Sequence, residues 1–255
     1  MPVRNLKLTL QYDGSDFHGW QRQPGVRTVQ GELENALELI LRSPVLTEGA
    51  SRTDTGVHAL GQVANFKTES DMPPEKLAAG VSSKLVPDAA ILDAAEVPED
   101  FSSRFSAKGK IYRYFVMNSH AELPVLRRNV LHVRPLLDID RMAAAARLIR
   151  GEKDYRSFGA QTAEKENAVC DIERVTIEQV PCLLLGEAPG RLLCIEVKGS
   201  RFLYKMVRTI AGTIVEAGKG RFEPDEITGI IEARDRGRAG PTLKPHGLYL
   251  VKVLY

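Results

Sequence analysis

Residues 49–59 contain the side chains of this chain that are best placed to do chemistry. Arg52 and Asp54 stand two positions apart in a segment bounded by glycines, the kind of loop in which functional side chains commonly lie. Together they could hold an ionised carboxylate in a shaped pocket, as nucleophilic or acid–base chemistry requires. On spacing alone, a turn in which Asp54 or Thr53 bonds its own backbone is the stronger interpretation. His58 has neither an acid nor a second metal ligand at a useful spacing, so we expect it to be structural.

A second candidate is a cationic stripe on a helix that the apolar periodicity predicts over residues 201–217. At ~100° per residue, Arg201, Lys205 and Arg208 fall on one narrow side of that helix. Ordinary amphipathicity explains the apolar opposite side, but it explains less well why every member of the stripe is a cation. Such a stripe would suit a polyanionic partner. The apolar residues opposite it are Leu203, Val207, Ile210 and Ile214.

The third candidate is a predicted strand that begins at Lys110. On a strand, Lys110, Tyr112 and Tyr114 point to the same side. Aromatic rings beside cations form stacking platforms for nucleobases. Packing of these tyrosines within the sheet is the competing interpretation and the commoner one.

Charge is segregated along the chain, although its net value is only +2. Between residues 104 and 134 seven basic residues stand against Glu122 alone, and between 198 and 221 six stand against Glu216 alone. A nucleic-acid surface needs this kind of distribution, and an ordinary solvated face is the competing interpretation. The basic residues are Arg104, Lys108, Lys110, Arg113, Arg127, Arg128 and Arg134 in the first run and Lys198, Arg201, Lys205, Arg208, Lys219 and Arg221 in the second.

Familiar cofactor and metal motifs are missing from the sequence. Lys219 lacks the Ser or Thr that follows the lysine of a phosphate loop, and no H-E-x-x-H or C-x-x-C pattern occurs. We therefore expect no metal, no cofactor and no nucleotide cofactor. Cysteines at 170, 182 and 194 form no close pair, which favours a reducing compartment, the cytoplasm. No apolar run reaches the ~18–20 residues that span a bilayer, so we expect no membrane association.

The periodic patterns predict an α+β fold in two successive halves, residues 1–105 and 106–255. The first half has strands at 6–12, 62–66 and 91–97, a helix with Thr28 as its N-cap, and a second helix at 74–84. The second half has strands at 110–117, 172–180, 192–198 and 247–254, and helices at 140–150, 201–217 and from Pro224 onwards. The similar content indicates a duplicated architecture with a cleft between the halves, although no sequence repeat is evident.

Short motifs are spread over nearly the whole chain. They are YDG at 12–14, FHGWQ at 17–21, TVQGEL at 28–33, RTDTGVHA at 52–59, KIYRY at 110–114, FLYKMVR at 202–208, AGPT at 239–242 and HGLYL at 246–250. In this combination they resemble the TruA family of tRNA pseudouridine synthases. Ser51 and Arg201 stand where many members of that family carry glycine, and neither departure removes a catalytic group.

The resemblance implies a fold of two similar α/β halves, each ferredoxin- or RRM-like. They would be joined through a continuous, mostly antiparallel sheet with a central cleft. The nucleophile loop would belong to the first half, and the base-stacking strand and the basic helix to the second.

The resemblance also implies the chemistry: uridine becomes pseudouridine when the N1–C1′ bond is broken and C5 is joined to C1′. The target would be the anticodon stem-loop of tRNA, at nucleotides 38–40. Asp54 would be the nucleophile, Arg52 would enter the RNA and help to hold the extruded base out, and Tyr112 would stack on the uracil. Arg208 is the candidate to pair with Asp54, because a nearby cation keeps a carboxylate ionised; Lys205 is the alternative. The tRNA backbone would be contacted by Arg201, Lys205 and Lys110.

The partners implied are tRNA and a second copy of the chain in a homodimer. Two other functions stay open at this point. One is a catalytically silent RNA-binding module of the same fold, such as a tRNA chaperone. The other is a small-molecule enzyme that uses Asp54 and His58 as an acid–base pair.

Overall fold

The structure is a computed structural model that describes residues 2–160, 168–182 and 189–255. Over those residues it is a mixed α/β protein whose strands pair mostly antiparallel. None of the helices in these ranges is long and apolar enough to cross a membrane. The strands are β1 (Arg4–Tyr12), β2 (Glu48–Gly49), β3 (His58–Thr68), β4 (Ala89–Val97), β5 (Gly109–Ser119), β6 (Leu131–Val133), β7 (Gly151–Asp154), β8 (Val169–Ile172), β9 (Arg174–Val180), β10 (Gly190–Gly199) and β11 (Leu248–Leu254). The α-helices are α1 (Val29–Leu41), α2 (Pro74–Ser82), α3 (Ile139–Ile149), α4 (Met206–Gly218) and α5 (Glu226–Ala233).

The chain forms two compact units, Met1–Lys108 with Tyr249–Tyr255, and Gly109–Leu248. The sequence places the division after residue 105 and assigns the end of the chain to the second half. From Tyr249 onwards the last strand instead belongs to the first unit, where β11 pairs in parallel with the start of β3. Alternation of apolar residues identifies β11 as a strand but says nothing about its neighbour.

In the first unit, β1 lies between β3 and β4 and is antiparallel to both. β2 pairs antiparallel with β3 at Ala64 and Asn65, on the side away from β1, so these four strands have the order β4-β1-β3-β2. Leu6, Leu8 and Leu10 are at most 1% exposed, as their alternation predicts. The predicted N-cap of α1 is confirmed, because Thr28 Oγ1 accepts a hydrogen bond from the Gly31 N–H at 3.2 Å.

In the second unit, β10 lies between β5 and β9 and is antiparallel to both, while β6 runs parallel to β5. β7 and β8 form a separate antiparallel pair. Helices α3 and α4 approach closely where Gly218 meets Met142, since a Cβ at Gly218 would lie 2.6 Å from Met142 Cγ. The Asp138 N–H donates to the Gly218 carbonyl at 2.9 Å, which joins the start of α3 to the end of α4.

The predicted long basic helix is wrong in its first turn. Helix α4 begins at Met206, and Arg201 lies in irregular chain before it. Lys205 has a φ of 63°, a left-handed conformation that no α-helix can contain. Arg201, Lys205 and Arg208 therefore do not share one helical stripe.

Candidate active site

The loop that joins β2 to β3 carries Asp54. Thr53 is buried at 7% exposure, whereas Arg52 on one side of it is exposed and Asp54 on the other is half-buried. The Asp54 carbonyl accepts a hydrogen bond from the Val57 N–H at 3.1 Å, which closes a turn. Gly56 within that turn has a φ of 77°, where glycine is favoured. The loop thus turns Thr53 toward the interior and leaves Arg52 and Asp54 closer to the surface.

A buried polar network lies beneath this loop. The hydroxyls of Tyr12 and Thr53 are 2.8 Å apart and hydrogen-bonded. The Gln62 amide clamps Ser51 from both sides: its Nε2 donates to the Ser51 carbonyl at 2.7 Å, and its Oε1 accepts from the Ser51 N–H at 3.2 Å. Gln62 Nε2 is also 3.4 Å from the Tyr12 hydroxyl. Buried networks with satisfied partners hold a backbone in one position.

Residues 17–21 brace the loop from a second direction. The Trp20 N–H donates to the Thr53 carbonyl at 3.0 Å. Gly19, at a φ of 83°, lies flat against the loop, since a Cβ there would stand 2.7 Å from the Thr53 oxygen and 3.2 Å from the Asp54 carbonyl carbon. The Trp20 ring is 1% exposed and packs on Gly49, just before the loop. The backbone of Asp54 is therefore fixed by chain segments distant in sequence.

His58 is built into the core of the first unit. It is 1% exposed, its Nδ1 accepts a hydrogen bond from the Gly14 N–H at 3.1 Å, and its ring stacks on Tyr249 at 4.6 Å. The same Nδ1 lies 3.1 Å from an Asp13 carboxylate oxygen. These contacts agree with the structural role expected from the sequence.

The two tyrosines of β5 have different surroundings. Tyr112 is 7% exposed and meets Phe202 edge-to-face, with ring centroids 5.2 Å apart. Tyr114 is fully buried, its hydroxyl donates to the Lys244 carbonyl at 2.6 Å, and its ring covers Gly247. Burial raises the pKa of Tyr114 far above its ordinary value. Sheet packing therefore accounts for Tyr114, and the stacking role stays a prediction for Tyr112.

Arg208 lies in the first turn of α4 and is half-buried. Its Nε donates to the Leu243 carbonyl at 2.7 Å, and the Leu243 N–H lies 3.3 Å from the Arg208 carbonyl. The backbone of Leu243, in the segment before β11, thus sets the direction of the Arg208 guanidinium. Its pairing with Asp54 stays a prediction.

The remaining predicted RNA contacts lie in the same unit. Lys205 Nζ stands 4.9 Å from the centre of the Tyr204 ring, which is 50% exposed. Arg201 and Lys110 are half-buried. Their contact with a tRNA backbone stays a prediction, and it no longer rests on a shared helical face.

Metal-binding geometry is not found over residues 2–160, 168–182 and 189–255, where no group of three His, Cys, Asp or Glu side chains could hold an ion. Cys170, Cys182 and Cys194 are free thiols. Burial raises the pKa of Cys194 to about 11 and that of Cys170 above its ordinary value, so neither is an activated nucleophile.

Comparison with known proteins decides the family. The sequence model of the tRNA pseudouridine synthase family matches residues 9–106 and 145–255. The tRNA pseudouridine synthase A of Caldicellulosiruptor saccharolyticus is 44% identical over 256 residues, covering 99% of this chain and 100% of its own length. The chain belongs to the tRNA pseudouridine synthase family. The enzymes of the same name from Ruminiclostridium cellulolyticum and Geotalea daltonii are 41% and 40% identical, each over 253 residues, 99% of this chain and 100% of their own lengths.

Membership of this family confirms the resemblance found in the sequence. The chain is therefore an isomerase that converts uridine to pseudouridine in tRNA. The roles of the individual site residues stay predictions. Sequence reasoning missed the brace formed by Gly19 and Gln62. A signal was present for Gln62, because an amide begins the strand predicted at 62–66, and an amide that becomes buried in a sheet needs hydrogen-bond partners.

Proposed function

We propose that this chain isomerises uridine to pseudouridine in the anticodon stem-loop of tRNA, at nucleotides 38–40, with Asp54 as the nucleophile. The proposal depends on how firmly the loop that carries Asp54 is held. Its carboxylate is half-buried on a backbone that Gln62, Gly19 and the Tyr12–Thr53 hydrogen bond all brace. Preorganisation of a reacting group on a fixed backbone is what catalysis requires.

The reaction needs only what such a site supplies. The N1–C1′ bond breaks, the uracil turns, C5 bonds to C1′, and the C5 proton leaves while N1 gains one, so nothing is oxidised or reduced. An ionised carboxylate that adds to carbon, or that assists departure of the base, is sufficient. We assign Arg208 as the cation that pairs with the Asp54 carboxylate.

The uridine must leave its stack before the carboxylate can reach it, at a cost of a few kcal/mol. Arg52 is exposed and makes no hydrogen bond or ion pair with any residue that the structure describes. We assign it to the RNA, where its guanidinium would hold the extruded base out. Tyr112 would stack on the uracil, supported from the side by Phe202. For backbone phosphates we assign Arg201, Lys205 and Lys110.

Other parts of the proposal rest on the resemblance and on topology. The order β4-β1-β3-β2 with two helices supports a ferredoxin-like first half. The ferredoxin-like second half, the continuous sheet and the central cleft remain predictions. So do the homodimer and the cytoplasmic location.

The decisive variant is Asp54→Asn, which keeps the shape of the side chain and removes the nucleophilic charge. Tritium release from C5-labelled uridine in an unmodified tRNA transcript should fall to background, and mapping of the wild-type product should place pseudouridine at 38–40. Asp93→Asn is the matched control, since Asp93 is an exposed acid of the same unit. Full activity in Asp54→Asn would refute the nucleophile. Binding of tRNA by a wild-type chain that forms no pseudouridine would favour the silent RNA-binding module.

Tyr112 is tested separately. Tyr112→Phe should retain turnover because the ring is kept, whereas Tyr112→Ala should lose most of it. Near-wild-type rates in both variants would remove Tyr112 from the site. Measurement of kcat and KM with the same transcript distinguishes these results.

A further inference from the structure

The most exposed aromatic ring in the described part of the chain is Phe105, at 74% exposure. The guanidinium carbon of Arg104 lies 5.0 Å from the centre of that ring, a cation–π contact. Arg104 is itself exposed and has no hydrogen-bond or ion-pair partner among the described residues. We call residues 101–106 the serine loop, after Ser102, Ser103 and Ser106.

The serine loop is held rigidly from below. The Ser103 N–H donates to Asn65 Oδ1 at 2.8 Å, and the Ser103 hydroxyl donates to the Glu48 carbonyl. The Ser102 hydroxyl donates to the Glu48 carboxylate and accepts from the Phe105 N–H at 2.9 Å. These bonds leave the backbone few alternatives.

Two further bonds close the serine loop. The Ser106 N–H donates to the Ser102 carbonyl at 3.0 Å. The hydroxyl of Tyr255, on the last residue of the chain, donates to the Ser103 carbonyl at 2.8 Å. The ring of Phe105 is therefore presented to solvent by a fixed backbone, and the serine loop itself would lose little conformational entropy when a partner stacks on that ring.

A nucleobase fits this element better than an apolar surface does. A stacking platform for single-stranded RNA combines an aromatic face with a nearby cation, and Phe105 with Arg104 supplies both. The acid beneath them, Glu48, is already bonded to Ser102, and the next charged residue along the chain is Lys108. We infer that Phe105 and Arg104 form a stacking site for an unpaired base of the tRNA, at which Arg104 also contacts a phosphate. This inference rests on the proposed function, because it takes tRNA as the ligand.

The test uses Asp54→Asn as the background, so that binding is measured without turnover. Phe105→Ala should weaken the Kd for unmodified tRNA by about five-fold or more, with an unchanged salt slope. Arg104→Ala should reduce the slope of log Kd against log salt by about 0.7–0.9, and Arg104→Lys should restore it. Leu46→Ala is the matched control, because Leu46 is 84% exposed in the same unit.

A spectroscopic reading checks contact directly. Trp20 is the one tryptophan of the sequence and is 1% exposed, so Phe105→Trp introduces a distinct solvent-exposed emitter. Its fluorescence should be quenched by tRNA but not by poly-phosphate. An unquenched Trp at 105, or equal affinities of Phe105→Ala and Leu46→Ala, would overturn the inference. So would a Phe105→Ala variant that changes oligomeric state while keeping its tRNA affinity, since Phe105 would then face a second copy. Failure of wild-type turnover would count against the proposed function and leave these binding results intact.

Discussion

Gly19→Ala should separate positioning of Asp54 from stability. Gly19 and Gly25 both have positive φ, 83° and 75°, and both lie before α1. A Cβ at Gly25 would meet nothing within 4 Å, whereas one at Gly19 would stand 2.7 Å from the Thr53 carbonyl oxygen. Gly25→Ala therefore carries the same backbone strain without the clash, and it is the matched control.

The magnitudes follow from these distances. A left-handed conformation costs an L-residue ~1–2 kcal/mol, and the alanine recovers ~0.4–1 kcal/mol through the unfolded chain. Gly25→Ala should thus lose about 1 kcal/mol and a few degrees of Tm. At Gly19 the missing space is roughly 0.7 Å against ordinary van der Waals contact, which adds the ~1–3 kcal/mol typical of overpacking. Relief of the clash has to move the backbone at Gly19 or at Thr53, and we expect that movement to shift Asp54, the residue that follows Thr53.

Displacement by part of an ångström should reduce kcat by roughly 10- to 100-fold. Single-turnover tritium release, measured well below the Tm of each variant, gives the rate, and thermal unfolding gives the stability. We expect Gly25→Ala to keep the wild-type rate and Gly19→Ala to lose it while folded. Equal rates in the two variants would refute the argument that this glycine sets the position of the carboxylate.

Three further predictions concern stability. Thr53→Val should lower the free energy of unfolding by ~1–2 kcal/mol. Tyr12→Phe should cost less stability in the Thr53→Val variant than in the wild-type protein, as a double-mutant cycle of urea unfolding measures. Arg42→Gly should raise Tm by a few degrees in calorimetry, because Arg42 ends α1 at a φ of 56°. The free energy of unfolding should fall between about pH 9 and pH 11: the unfolded Cys194 thiol ionises near its ordinary pKa of 9.0, whereas burial holds the folded one at about 11. The stabilisation is present below the lower value and is lost as pH rises, by at most ~1.4 kcal/mol per pH unit.

Each of these has a result that contradicts it. Strict additivity of the two substitutions at Tyr12 and Thr53 would mean that their 2.8 Å hydrogen bond contributes nothing. An unchanged or lower Tm in Arg42→Gly would mean that the arginine makes a compensating contact. A pH profile unaltered by Cys194→Ala would assign the alkaline loss to the buried tyrosines, whose pKa values burial also raises.

The periodic elements could be predicted because burial alone decides them. The alternation of Leu6, Leu8 and Leu10 requires one face of β1 to be buried, and Thr28 before the apolar run of α1 is a cap with a mechanism. The start of α4 could not be predicted in this way. Lys205 carries no glycine-like signal, yet it adopts a φ of 63° just before the helix, where the Met206 N–H bonds the Leu203 carbonyl at 3.0 Å.

The residues of the candidate site likewise divide into those that the sequence reveals and those that only the fold reveals. Asp54 and Arg52 are evident from the sequence because both are charged and lie in a glycine-bounded loop. The brace is not evident, because Gly19 and Gln62 act on the loop through backbone atoms brought together only by the fold. Motif resemblance marks residues 17–21 as important but gives no physical reason. The 2.7 Å approach of a would-be Cβ supplies that reason.

The roles proposed for Arg52 and Asp54 impose opposite requirements on this loop, and the buried side chain of Thr53 meets both. A nucleophile must be held still, whereas an arginine that enters RNA must reach outward. Thr53 stands between them, buried and bonded to Tyr12, so Arg52 and Asp54 on either side of it are left on the accessible side. Trp20 fixes the carbonyl of the same residue, so both its side chain and its backbone are anchored. A loop anchored at Thr53 can keep Asp54 positioned while the longer side chain of Arg52 moves, which is the combination that the proposed base-extruding activity needs.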